Sequence, residues 1–167
     1  KVEVINTGVG NYNTVQEVQF FLTEGKKYNP DLVVLSYFVN DAEPVPRSSP
    51  PTLLQRTCMS CVFLAGRVDA LRRKASPSTD WAGYYLGLFG DGSTPGWLES
   101  KKYLRMLGDY CRVNNIKLVL ANVPELHDVN KYRFQKVTDL VRQTAEESGA
   151  VFVDLRPNFK DVDAAKL

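Results

Sequence analysis

Two short polar stretches hold the residue types best suited to chemistry in this chain, and each closes an apolar run. The first is Gly8-Val9-Gly10-Asn11-Tyr12-Asn13-Thr14, which leaves the run 1–7 and enters a helical pattern. The second is Asn40-Asp41, which closes the run 32–39. A strand that ends in small, flexible, amide-bearing residues can hold an anion on its backbone N–H groups. The anion is either a bound phosphate or the negative charge that develops when a carbonyl is attacked.

The phosphate reading takes Gly8-Val9-Gly10 as the start of Gly-x-Gly-x-x-Gly. Asn13 stands where the third glycine would let helix and strand pack closely. The ribose-binding acid should lie about 20 residues on, and that position falls in Asn29-Pro30-Asp31, before the next apolar run begins. The fingerprint is incomplete. The oxyanion reading uses more of the sequence. Glycine and asparagine tolerate a left-handed backbone that turns amide hydrogens outward. An amide at the following helix N-terminus stabilises developing negative charge. Asn40 adds a second, uncharged donor from a neighbouring strand end, so the two stretches explain each other. Asp41 is expected to cap local amides in the Asn40 loop, and Tyr12 to pack rather than bind.

Other reactive residues are sparse. The chain has three cysteines and one histidine. Cys58-Met59-Ser60-Cys61 has CxxC spacing, but no second pair and no histidines at ligand spacing accompany it, so there is no case for zinc. A redox pair normally follows a strand at a helix start. This one lies in an apolar stretch and reads as two buried helix cysteines. His127 lies in the loop 124–130 at a strand end, where it can contact a substrate. Asp128 follows it directly, and a hydrogen-bonded loop histidine is the simpler reading. Gly90-Asp91-Gly92-Ser93-Thr94 reads as a turn, because no strand feeds it. No metal or cofactor is called for.

Alternating apolar and helical patterns set the frame that must position these residues. The pattern predicts strands over 1–7, 32–39, 116–123 and 151–155, and helices over 14–24, 53–74, 97–114 and 132–148. Residues 42–51 hold four prolines and form a loop. Residues 75–96 form an irregular excursion with a short helix around 84–88. Its aromatics Trp81, Tyr84, Tyr85 and Phe89 either line a pocket or build a satellite core, the second being simpler. Strands alternating with helices imply a parallel sheet joined by right-handed crossovers. In such sheets ligands bind beyond the carboxyl ends of the strands, where Gly8 to Asn13, Asn40-Asp41 and the loop with His127 all fall.

The bulk numbers exclude several classes. At 167 residues the chain reads as one domain, 1–167. Lys plus Arg number 21 and Asp plus Glu 19, a net charge of +2 that gives no argument for nucleic acid. The basic run Arg72-Arg73-Lys74 reads as a solvated helix end. No apolar run reaches membrane-spanning length. Oligomeric state is not readable.

Residues 4–17, Val-Ile-Asn-Thr-Gly-Val-Gly-Asn-Tyr-Asn-Thr-Val-Gln-Glu, resemble the second sequence block of the SGNH hydrolases, also called the GDSL-type lipase/esterase family. Residues 30–41, Pro-Asp-Leu-Val-Val-Leu-Ser-Tyr-Phe-Val-Asn-Asp, resemble the third block, usually Gly-x-Asn-Asp, with Phe38 in place of the glycine. The resemblance implies a three-layer α/β/α sandwich with a parallel, flavodoxin-like sheet. It also implies hydrolysis of a small-molecule ester or acylated carbohydrate through a serine acyl-enzyme. Asn40 would donate to the oxyanion through its side chain, and the backbone at Gly10 and Asn11 through an amide. The block's glycine aligns with Asn11, with Gly10 one place early. The family's serine block would precede residue 1 and its Asp-x-x-His block would follow residue 167. The segment alone is therefore expected not to hydrolyse esters. The competing readings are a non-catalytic domain using the same cleft for an acyl or glycan ligand, and a nucleotide-binding module.

Overall fold

A computed structural model describes residues 2–44, 58, 60, 61, 63, 67, 68, 80–127 and 131–159. The chain divides into two compact units, Lys1–Val45 with Tyr85–Leu167, and Pro46–Tyr84. The second unit is wider than the excursion expected at 75–96. Most of the helix predicted over 53–74, the basic run 72–74, Asp128 and most of the proline loop lie outside the described residues. Within the second unit residues 60, 61, 63, 67 and 68 are helical. Cys58 and Cys61 are bonded to each other as a disulfide. That corrects the reading of two buried helix cysteines: the three-residue separation brings the sulfurs together across one turn, and both residues are half-exposed. Cys111 is buried and free.

The first unit is an α/β structure. Its elements are α1 (Thr14–Thr23), β1 (Leu32–Tyr37), the end of α2 (Trp81–Phe89), α3 (Pro95–Val113), β2 (Lys117–Asn122), α4 (Gln135–Glu147) and β3 (Val151–Asp154). The three strands form one parallel sheet in the order β1-β2-β3. Leu35 is opposite Leu120, Tyr37 opposite Asn122, and Leu120 opposite Phe152. All three carboxyl ends therefore leave the same edge.

The helices cover the face that carries Leu35, Tyr37, Leu118, Leu120 and Phe152. Trp97 of α3 packs edge-on against Tyr37, with ring centroids 6.4 Å apart. Arg142 of α4 lies 4.6 Å over the Phe152 ring. The inward stripe of α3, Leu104, Leu107 and Cys111, is buried as its spacing predicts, as are Val137, Val141 and Ala145 of α4. Each fully buried leucine contributes about 1.5–3 kcal/mol. Gly108 lets α3 and α4 cross closely, since a Cβ there would stand 2.2 Å from the Ser148 carbonyl.

Two strand expectations are corrected. Residues 2–8 form no strand, and Val2 and Val4 are about 85% exposed. A strand exists only where a neighbour completes its ladder, and among the described residues none does. The run 32–39 is not buried on both faces. It yields a six-residue strand whose second face leaves Leu32 and Val34 open, alongside Val151 and Val153 of β3.

Candidate functional site

The corner before α1 is built by local hydrogen bonds. Asn6 Oδ1 accepts from the Gly8 amide at 2.9 Å, and the Val9 carbonyl accepts from Tyr12 at 3.2 Å, closing a turn. Asn11 sits inside that turn with φ +66°, the left-handed conformation. Gly10 does not adopt it. The left-handed residue of the corner is thus the asparagine, at an energetic cost asparagine bears better than other non-glycine residues.

Asn13 starts α1. Its Oδ1 accepts from the Gln16 amide at 3.1 Å, and the Gln16 side chain accepts from the Asn13 amide at 3.2 Å, a reciprocal cap. This explains why the third glycine of a phosphate cradle is absent: the position is a helix cap, not a helix–strand contact. Asn13 is buried and does one thing more. Its Nδ2 donates to the Glu43 carbonyl at 2.8 Å, tying the corner to the turn that follows β1.

That second turn spans Val39–Ala42. Asp41 Oδ2 accepts from the Phe38 amide at 2.6 Å, while the Asp41 amide donates back to the Phe38 carbonyl at 3.0 Å. The Asn40 carbonyl accepts from Glu43 at 2.8 Å, leaving the half-buried Asn40 side chain uncommitted to the turn's own backbone. The first turn of α3 presses on the same backbone. A Cβ on Gly96 would lie 2.2 Å from the Ala42 carbonyl, so only glycine fits there.

Buried Asp41 and half-buried Glu17 act on each other electrostatically, a relation that sequence reading missed. Burial pushes the Asp41 carboxyl well above the carboxylate range, the Glu17 charge adds to the rise, and the Phe38 amide opposes it. Burial raises Glu17 to about 7, and its Oε2 is buried without a hydrogen-bond partner. The fully buried Tyr37 phenol is raised by desolvation first and then by Asp41; it lies near the Ser100 hydroxyl, though neither oxygen makes a hydrogen bond of good geometry. An alternating strand pattern marks Tyr37 as inward, but nothing in the sequence shows that Glu17 of α1 faces Asp41.

The end of β2 contributes separately. The Val123 amide donates to the Tyr37 carbonyl at 2.8 Å, joining the segment after β2 to the end of β1. His127 follows four residues later, and its Nδ1 meets Oε1 of the buried Glu125. Glu125 was not singled out in the sequence; an acid two residues before a histidine in a strand-end loop was the available signal. Gly90 and Gly92 take positive φ in the turn 90–94, with Asp91 accepting from the Ser93 amide at 3.1 Å. That turn ends against α3 through Thr94 and is not part of the site.

Tyr12 borders an open groove lined by Gln16, Gln19, Phe20 and Thr23 along α1. The groove touches the corner only at Tyr12, so its chemistry is that of the helix surface and not of the two turns. Among the described residues no group of three or more His, Cys, Asp or Glu is placed to hold a metal, and no helix is long and apolar enough to cross a membrane. The arrangement offers uncharged N–H groups at the corner before α1 and at the turn after β1, which the Asn13–Glu43 hydrogen bond joins. Such donors stabilise a developing negative charge without titrating. Comparison with known family models, curated proteins and solved structures found no match.

Proposed function

We propose that this chain supplies the oxyanion-binding part of an ester hydrolase of the SGNH type, acting in the intact protein through a serine acyl-enzyme on a small-molecule ester or acylated carbohydrate. The observation that carries the proposal is the Asn13–Glu43 hydrogen bond, which braces the corner of left-handed Asn11 against the turn of Asn40 at the end of β1. In this reading the backbone amide at Asn11 and the side-chain amide of Asn40 donate to the oxygen of the tetrahedral intermediate. Gly10 gives the corner room, since nothing stands within 4 Å of a Cβ built there. Asp41 holds the turn from behind. The nucleotide-binding alternative loses its third glycine position to the α1 cap and has no observation in its favour.

The test is hydrolysis of p-nitrophenyl acetate by the intact protein. Asn40→Ala should lower kcat by about 10²–10³ while KM changes little, because the donor acts on the transition state. Unchanged turnover removes Asn40 from the mechanism, and no turnover in the unaltered protein removes the ester-hydrolase reading.

A further inference from the structure

One reactive pair takes no part in the oxyanion site: the Cys58–Cys61 disulfide of the second unit. We propose that this bond is redox-active and accepts two electrons from a dithiol by thiol–disulfide exchange, Cys58 receiving the electron pair when the bond opens. The proposal does not rest on the ester-hydrolase reading above.

A redox pair of CxxC spacing belongs at a helix start, and that is where this one lies. Cys58 is outside the helix, whereas residues 60, 61, 63, 67 and 68 are helical. The Arg67 guanidinium lies 5.1 Å over the Phe63 ring, a pairing of helix residues one turn apart. Cys61 is therefore among the first three helical residues, whose amides find no carbonyl within their own helix. Its amide donates instead to Cys58 Sγ at 3.2 Å. Cys58 thus stands where a capping side chain would, with sulfur as the acceptor.

The bond is also within reach of a reductant. Both cysteines are half-exposed. Phe63 and Val68 of the same helix are 61% and 47% exposed, so the helix lies open and not in a core. A disulfide acts as a staple by restricting the unfolded chain, and it restricts more when it closes a longer loop. This one joins residues only three apart and restricts little.

Exchange begins when one sulfur of the dithiol, as a thiolate, attacks Cys61 Sγ. A new S–S bond forms to Cys61, the Cys58–Cys61 bond breaks, and its electron pair stays on Cys58 Sγ. That sulfur leaves as a thiolate, and the Cys61 amide already aimed at it stabilises the charge. The second sulfur of the dithiol loses its proton to water and attacks the first. Cys61 then leaves and takes up a proton. The dithiol has given up two electrons and both thiol protons and has become a disulfide. The protein has gained those two electrons as reduced Cys58 and Cys61. A sulfur whose thiolate is stabilised leaves faster, so the hydrogen bond favours opening of the bond at Cys58.

The experiment uses the folded, intact, oxidised protein. It is mixed in parallel with dithiothreitol and with a reduced two-cysteine peptide, quenched, alkylated and read cysteine by cysteine in a mass spectrometer, while circular dichroism confirms that the fold is kept. Cys58 and Cys61 should both become labelled and Cys111 should not. Reaction with the peptide as well as with dithiothreitol supports a polypeptide donor, and reaction with dithiothreitol alone supports a small dithiol. In the reduced protein at about pH 6, iodoacetamide should alkylate Cys58 at least about tenfold faster than Cys61, because the helix amide favours the Cys58 thiolate. A bond that both reductants leave intact until urea unfolds the chain is a structural staple and overturns the proposal. Equal alkylation rates at the two cysteines overturn it as well, since Cys58 would then have no advantage in receiving the electron pair.

Discussion

Asn13 Nδ2 donates to the Glu43 carbonyl across 2.8 Å, bridging residues thirty apart in sequence. One buried side chain therefore starts α1 and braces the turn that presents Asn40. Removing it should do two kinds of damage. Asn13→Ala loses a helix cap, about 0.5–2 kcal/mol, and also the hydrogen bond to the Glu43 carbonyl, about 0.5–1.5 kcal/mol. Asn13→Ser keeps a capping oxygen and loses only the bridge. Urea unfolding should rank the variants in that order. Equal losses in the two would show that the cap contributes nothing, and an Asn13→Ser variant as stable as the unaltered protein would show the same of the bridge.

The contact between Gly96 and the Ala42 carbonyl makes a sharper steric prediction. Gly96→Ala must push the start of α3 away from the Asn40 turn, at about 1–3 kcal/mol, the range for overpacking. Gly87→Ala is the control. It lies in α2 with nothing within 4 Å of its added Cβ, so it should stabilise by about 0.5–1 kcal/mol through helix propensity. Thermal melts of the pair should move in opposite directions.

Asn11 can be tested through its backbone alone. At φ +66°, Asn11→Gly should retain or slightly raise stability, and turnover should persist because the donor is the amide. Asn11→Val forces a β-branched residue into the left-handed region, which costs about 1–3 kcal/mol, and should remove turnover with the conformation. An active Asn11→Val would exclude the corner amide as a donor.

The buried acids give stability a definite pH dependence. Glu17 rises from 4.5 to about 7 through desolvation. Between those values the folded state holds a proton that the unfolded state has released, so stability must fall as pH rises through this window. Asp41, raised by burial and by Glu17, acts with the same sign. Denaturation midpoints measured from pH 4.5 to about 7 should decline, and Glu17→Gln should flatten that decline. A midpoint that climbs over the same range would contradict the placement of Glu17.

Thiol counting checks the cysteine assignment. With Cys58 and Cys61 joined and Cys111 buried, oxidised native protein should take up no alkylating reagent. Denaturation should expose one thiol, and denaturation with reductant all three.

The helices of the first unit and its three strands were legible because their signals are local. Leu104, Leu107 and Cys111 recur at helical spacing, and α3 buries them. Residues 116–123 form a largely apolar run, and β2 (Lys117–Asn122) lies within it. The stretch 1–7 has the same local signal and forms no strand, because ladder pairing depends on a neighbour that local composition cannot report. The site was legible by residue type and not by connection. Asn40, Asp41 and Asn11 stand out as polar residues where apolar runs end. The Asn13–Glu43 bridge, the facing of Glu17 and Asp41, and the anchoring of His127 by Glu125 are contacts that only the fold creates. The disulfide was missed for a related reason: CxxC spacing permits the bond, and hydrophobic surroundings argued for packing.

The open face bearing Leu32, Val34, Val151 and Val153 has a calorimetric consequence. Apolar groups already wet in the native state contribute nothing further when the chain unfolds. A 167-residue protein ordinarily gains about 2–2.5 kcal/mol/K of heat capacity on unfolding. This chain should gain less, which flattens its stability curve and weakens the pull towards cold denaturation.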